Sequence, residues 1–258
     1  MLKRGEENGS GWKKLFALDR PYSMNIIIGG REQSKVVIKN NLEIESELDS
    51  YIQIARAFYR TGPAHDFSHI ERVLNLALKI GASEGANLRI VGIAALFHDI
   101  GRESEEKSGG VICHAAASSE MTASILADFH EDPVQIQAIC ECIATHRFRD
   151  NNPPRSIEAK CLYDADKLDS LGAIGVARAY LWLGEHGGKV YSRRDEWEKI
   201  PCASNRPEDD SLQREWHIKL KFIPERLFTE TAKEIAIRRS ATMEKFMVML
   251  ESEVNGEE

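Results

Sequence analysis

The fold turns on residues 94–101, Ala94-Ala95-Leu96-Phe97-His98-Asp99-Ile100-Gly101. An apolar run at helical density ends in adjacent His and Asp, and Gly101 supplies a stop. Burial of the run would fix the two polar side chains on a rigid element. Both bind divalent cations. The remaining sequence is read by asking what else reaches that point.

On either side the apolar periodicity is helical. Leu42, Ile44, Leu48, Ile52, Ala55 and Tyr59 predict a helix that Gly62-Pro63 ends. Ile70, Val73, Leu74, Ala77 and Leu78 form the stripe of a second, from near Ser68 to about Ile80, with Ser68 and Glu71 at capping-box spacing. Further helices are expected over about 114–129, 157–171, 173–185, 213–222 and 229–253. Another carries Ile136, Ile139 and Ile143 and opens at Asp132-Pro133, a cap followed by a proline in the first turn. Residues 103–110 read as a charged loop. The stretch 187–210, with Trp197 inside it, is a long loop that suggests a lid. Strand signals are nearly absent. The expectation is an all-α fold: a single helical domain over 41–258 with the metal site between helices, preceded by an N-terminal extension, 1–40, that is partly flexible.

Composition narrows the function classes. The 258 residues carry a net charge of −7, which disfavours nonspecific nucleic-acid or anionic-membrane binding but not a small phosphate ligand. The five cysteines, Cys113, Cys140, Cys142, Cys161 and Cys202, are odd in number and lack metal-finger spacing, so reduced thiols are expected. No apolar run approaches the roughly 20 residues that span a bilayer, and no secretory signal is evident. The cytoplasm is the default, and a homo-oligomer is compatible with the sequence.

The candidate chemistry lies in histidines and acids. His69 stands four residues before Val73 on one helix face, so its ring should point inward. For a lone histidine the ordinary reading is a buried ring bonded to a carbonyl. The neighbouring dipeptide His98-Asp99 raises the alternative of a ligand. Asp166, in Tyr163-Asp164-Ala165-Asp166-Lys167-Leu168-Asp169, sits among apolar neighbours, where a carboxylate is costly unless paired or metal-bound. Asp166 and Asp169 share one helix side. Two imidazoles and two carboxylates suit Mn²⁺, Fe or Zn²⁺ better than Mg²⁺. An ion so held would make hydroxide available near neutral pH and neutralise phosphate oxygens, which fits phosphoester or phosphoanhydride hydrolysis.

The order His69, His98-Asp99, Asp166 resembles the H…HD…D signature of the HD-domain superfamily of metal-dependent phosphohydrolases. Residues 64–73, Ala-His-Asp-Phe-Ser-His-Ile-Glu-Arg-Val, and 164–175, Asp-Ala-Asp-Lys-Leu-Asp-Ser-Leu-Gly-Ala-Ile-Gly, look like a branch of small stand-alone bacterial HD proteins. The likeness extends over about 45–252. It implies His69, His98, Asp99 and Asp166 as ligands of a divalent ion, Mn²⁺ first, with Fe, Zn, Ni, Co or Mg as alternatives. It implies a nucleotide or other small phosphorylated substrate. Some HD branches hold a second metal with two further histidines, for which His114 and His146 lie in the right order; helix-end hydrogen bonding for His146 and a surface position for His114 are the plainer readings. His65 and Asp66 are expected to shape the loop entering His69. Asp99 and Lys167 are the catalytic candidates. Arg102, Arg147 and Arg178 are candidates for substrate phosphate, each weighed against an ordinary surface charge. Two other functions stay open: a regulatory protein that binds metal or nucleotide without turnover, and a diiron oxygenase.

Overall fold

The computed structural model describes residues 47–59, 67–148, 152–202, 204 and 206–257. The expected extension over 1–40, the Gly62-Pro63 stop, and His65 and Asp66 lie outside the described residues. Among the described residues there is no strand, only an isolated parallel bridge between Lys189 and Ser211. Helix α1 covers 47–56. It is followed by α2 (Phe67–Glu84), α3 (Leu88–Phe97), α4 (Arg102–Lys107), α5 (His114–Asp128), α6 (Pro133–Thr145) and α7 (Ile157–Leu168). The later helices are α8 (Gly172–His186), α9 (Arg194–Trp197), α10 (Leu212–Ile218), α11 (Ile223–Arg226) and α12 (Glu230–Asn255).

The central element is α3. Asn87 caps it, its side chain accepting from the amides of Arg89 and Ile90. Every residue from Val91 to Phe97 is buried, as expected for a helix apolar all round. It packs against α2, α6 and α7; α7 packs in turn on both α2 and α6, while α5 lies on α6 and α8 lies on α12. Truncating Phe97, which has no exposed surface, to Ala would cost about 3–5 kcal/mol.

Gly101 ends nothing by its torsions; its φ of −87° is ordinary. Its role is spatial. A Cβ there would lie 2.6 Å from the Ser118 amide nitrogen and 2.7 Å from the His114 carbonyl oxygen. The glycine therefore lets α5 approach the end of α3, and its amide donates to Ser118 Oγ.

Several local expectations are corrected. Residues 102–107 form α4, not a loop. Helix α2 begins at Phe67, so Ser68 is inside it and accepts from Arg72. The 187–210 stretch contains α9 and a 3₁₀ turn, Pro207–Asp209. It is pinned by Arg214, which donates to Asp210 and to the Pro201 carbonyl, and by buried Trp197 stacked on His217. The helix expected over 213–222 breaks at Lys219, where φ −141° and ψ −59° leave the helical region. Asp132-Pro133 opens α6 as expected, the carboxylate accepting from the amides of Val134 and Gln135.

The start of α12 is fastened from inside. Asp164, fully buried on α7, accepts from the amides of Phe228 and Thr229 and from the Thr229 hydroxyl. Burial raises this carboxyl above its usual range, although those bonds pull the other way.

Candidate metal centre

Five elements converge on the end of α3. His69 comes from α2, His98 and Asp99 from the turn after α3, His114 from the first residue of α5, His146 from the residue after α6, and Asp166 from α7. The four rings form a chain, with centroids 5.4 Å apart for His69–His98, 5.1 Å for His98–His146 and 5.2 Å for His146–His114. All four are buried.

Their donor atoms fall into two groups that could each hold a metal ion: His69, His98 and Asp166, and Asp99, His114 and His146. Asp99 joins them. Its Oδ2 lies 3.6 Å from His69 Nε2 and 3.4 Å from His98 Nε2. Its Oδ1 lies 3.2 Å from His114 Nε2 and 3.5 Å from His146 Nε2. Asp166 Oδ1 is 3.6 Å from His69 Nε2 and 4.0 Å from His98 Nε2. The sequence-derived residues His69, His98, Asp99 and Asp166 are thus brought together, and His114 and His146 with them.

The orientation of each ring is set through Nδ1. Nδ1 of His98 meets the Ala95 carbonyl at 2.8 Å, and that of His146 meets the Ile143 carbonyl at 2.7 Å. Nδ1 of His69 meets Asp169 Oδ2 at 2.8 Å, and that of His114 meets Glu105 Oε2 at 2.6 Å. Carbonyl and carboxylate oxygens only accept, so Nδ1 of His69, His98 and His146 carries the proton; His114 Nδ1 also has the Arg147 Nη1 donor at 3.1 Å, and its shorter contact to the Glu105 carboxylate assigns the proton there too. In the neutral ring Nε2 then presents a lone pair to the centre. Two consequences test whether a cation fits. His98 Nε2 is buried with no hydrogen-bond partner. The Nε2 atoms of His114 and His146 face each other at 3.2 Å, where two lone pairs repel unless a positive charge stands between them or one ring is protonated. Nitrogen and carboxylate donors in this arrangement suit a divalent transition metal.

Electrostatics agree with that use. Burial holds His98 down at about 4, so it is neutral at physiological pH. Burial also lowers His69, but the carboxylates of Asp169, Asp99 and Asp166 outweigh it and the net shift is upward. Burial would raise Asp99 and Asp166. Arg102 outweighs it for Asp99, as Lys167 and His69 do for Asp166, and both carboxyls lie well below the usual range.

A cavity of about 450 Å³ opens beside Asp166. Arg102, Arg178 and Lys219 are its cations, Lys219 being paired with Glu215 at 3.1 Å; Asp210 and Trp182, the latter stacked on His186, also line it. Of the phosphate candidates, Arg102 and Arg178 line it. Arg102 also donates from Nε to Asp99 Oδ2 at 2.5 Å, and Arg178 to Asp169 Oδ2 at 2.9 Å. Lys167 bonds Asp166 Oδ2 at 2.8 Å, and Arg147 is engaged by Glu105; neither is among the lining residues.

The sequence reading missed Glu105, Lys219, Trp182 and the bracing role of Asp169. The last had a signal, since Asp169 follows Asp166 by three on one helix side. Glu105 had none, because nothing local marks a glutamate in a charged hexapeptide.

Comparison with known proteins places this arrangement. The HD domain family matches residues 66–171. The protein YpgQ of Bacillus subtilis is 31% identical over 196 residues, covering 74% of this chain and 85% of that one. The crystal structure of YpgQ in complex with ADP superposes with a TM-score of 0.63 and 27% identity, covering 81% of this chain and 99% of that one. An HD-superfamily hydrolase from Bacillus thuringiensis superposes with a TM-score of 0.63 and 26% identity, covering 82% and 98%. With its histidines and aspartates gathered inside the matched helices and a relative aligned along most of its length, the chain belongs to the HD-domain family.

Proposed function

We propose that this protein is a metal-dependent phosphohydrolase acting on a nucleotide or another small phosphorylated metabolite. The observation that carries the reading is the adjacency of the His/Asp cluster to a cavity bearing three cations. The ADP held by YpgQ supports a nucleotide as ligand. A divalent ion, Mn²⁺ first, would be held by His69, His98, Asp99 and Asp166; it lowers the pKa of bound water and neutralises phosphate oxygens.

The chain's own groups supply the rest. Asp99 and Asp166, held ionised, accept hydrogen bonds and orient a water molecule at the cavity's inner end. Lys167 neutralises the outer oxygen of Asp166 and keeps that carboxylate in place. Arg102, Arg178 and Lys219 receive phosphate oxygens and offset charge that grows as the phosphorus–oxygen bond breaks. Trp182, one face of which is stacked on His186, lines the cavity where a base would lie. The test is purified protein with Mn²⁺ and a panel of nucleoside mono-, di- and triphosphates, reading phosphate and pyrophosphate. Release from at least one member, abolished by chelation and by His98→Ala, is expected. No release from any member would overturn the reading.

The gathering of four histidines and two aspartates favours a second reading, a diiron oxygenase, because that donor set also suits iron. Two Fe per chain with oxygen consumption would select it. Manganese content without oxygen uptake would reject it.

A further inference from the structure

The two halves of the cluster are braced by different parts of the chain. His69 is backed by Asp169 at the end of α7. His114 is backed by Glu105, which belongs to α4 and lies nine residues before it. Glu105 Oε2 accepts from His114 Nδ1 at 2.6 Å, and its Oε1 is held by Arg147, whose Nη1 also lies 3.1 Å from His114 Nδ1 and 3.9 Å from Cys113 Sγ. The pairing of Glu105 with His114 and Arg147 outweighs the cost of partial burial and holds the carboxyl at about 2, so it is ionised at any working pH.

Helix α4 buries none of its residues and packs on α5; Arg102 reaching Asp99 and Glu105 reaching His114 tie it to the centre. A surface glutamate that merely paired with Arg147 would not need to lie over an imidazole whose other nitrogen faces Asp99 Oδ1 at 3.2 Å and His146 Nε2 at 3.2 Å.

We infer that Glu105 is the positioning residue for a second metal position formed by Asp99, His114 and His146, and that it governs that position separately from the one Asp169 braces. The inference rests on the metal-dependent reading above, but it concerns ion binding and not turnover. By accepting the Nδ1–H hydrogen bond, Glu105 fixes the His114 tautomer and keeps the Nε2 lone pair directed inward. Arg147 keeps the carboxylate from rotating away. Loss of such a brace costs about 10–100-fold in metal affinity.

The experiment is titration of the metal-free full chain with Co²⁺, with ion count and affinity from calorimetry and exchangeable imidazole N–H signals from paramagnetically shifted proton spectra. The wild-type protein is expected to take two ions. Glu105→Ala is expected to keep one with unchanged affinity and to bind the second about 10–100-fold more weakly, with one shifted N–H signal lost. Glu105→Gln, which still accepts the Nδ1 proton but lacks charge, should fall between the two. Circular dichroism checks that the variants fold, and Arg147→Met serves as a second variant with a smaller loss in the same position. Binding of a single ion by the wild type, equal weakening of both ions in Glu105→Ala, or two unchanged ions in that variant would each overturn the assignment. Absence of nucleotide hydrolysis would leave it standing, since the readout is ion binding.

Discussion

The two halves of the cluster share one plan and differ in what supports it. Each contains one imidazole held by a main-chain carbonyl three residues earlier and one held by a carboxylate. In the half containing His69, the supporting carboxylate is itself core structure. Asp169 is 1% exposed and receives Arg72 at 2.8 Å and Arg178 at 2.9 Å as well as the ring. In the half containing His114, the support is Glu105, 22% exposed and carried by a six-residue helix with no buried residue. One half is therefore built into the packed interior, while the other is assembled by a surface element leaning inward. A site of this kind can be rigid where it must always be formed and adjustable where occupancy varies.

The largest effect should come from the residue the halves share. Asp99→Asn replaces a bridging carboxylate with a neutral amide that cannot offer two anionic oxygens. Both ions should be lost, and calorimetry should show no binding event. Retention of either ion would mean the halves do not depend on Asp99 as their geometry indicates. Next in size is Asp169→Asn. It leaves Arg72 and Arg178 with no carboxylate and removes the charge behind His69, so it should destabilise the fold by about 3 kcal/mol. Removing Glu105 should cost less than 1 kcal/mol, because its pairs are partly exposed. Urea unfolding of the two variants side by side measures the contrast, and equal losses would break it.

Gly101→Ala sharpens the comparison from another side. The added methyl would press on the backbone of α5 at the His114 carbonyl and Ser118 amide. Overpacking of this kind costs about 1–3 kcal/mol. Because α5 carries His114, the second ion should weaken by more than the first. Cobalt titration would read the difference, and equal weakening would indicate that the strain is absorbed elsewhere.

These contrasts also explain which parts were legible in the sequence. The run into His98-Asp99 is readable because an all-round apolar helix has few other places to go. Asp132-Pro133 is readable because capping is a local bond between a side chain and amides two and three residues later. His69 and Asp166 follow from the helix face they share with apolar neighbours and from the family pattern. Glu105 is not readable, since its partners His114 and Arg147 are 9 and 42 residues away and its own helix has no apolar stripe. For the same reason α4 reads as a loop: nothing in Arg-Glu-Ser-Glu-Glu-Lys reports that Arg102 and Glu105 are tied to the centre. Gly101 reads as a stop, because the approach of α5 is a tertiary fact. The break at Lys219, which sets that lysine at the cavity, likewise has no signal in the residues around it.

The smallest expected effect separates two histidines within one half. His69 has a raised pKa and His98 one of about 4. In the metal-free chain, a raised histidine contributes stability that is fully present below its unfolded value near 6.5 and is lost as pH rises through the folded value. His98 contributes the reverse: it stays neutral, and acid begins to cost stability only as pH falls below 6.5 toward 4, where the unfolded chain takes a proton and the buried ring does not. An ion entering this half competes with a proton at His69 Nε2, whose pKa is raised, more than at His98, whose pKa is lowered. Its affinity should therefore fall with acidification through the neutral range, by no more than tenfold per pH unit for one displaced proton. Calorimetry between pH 6 and 8 in buffers of different ionisation enthalpy would count that proton. A pH-independent affinity for the first ion would show that His69 does not set the difference from His98.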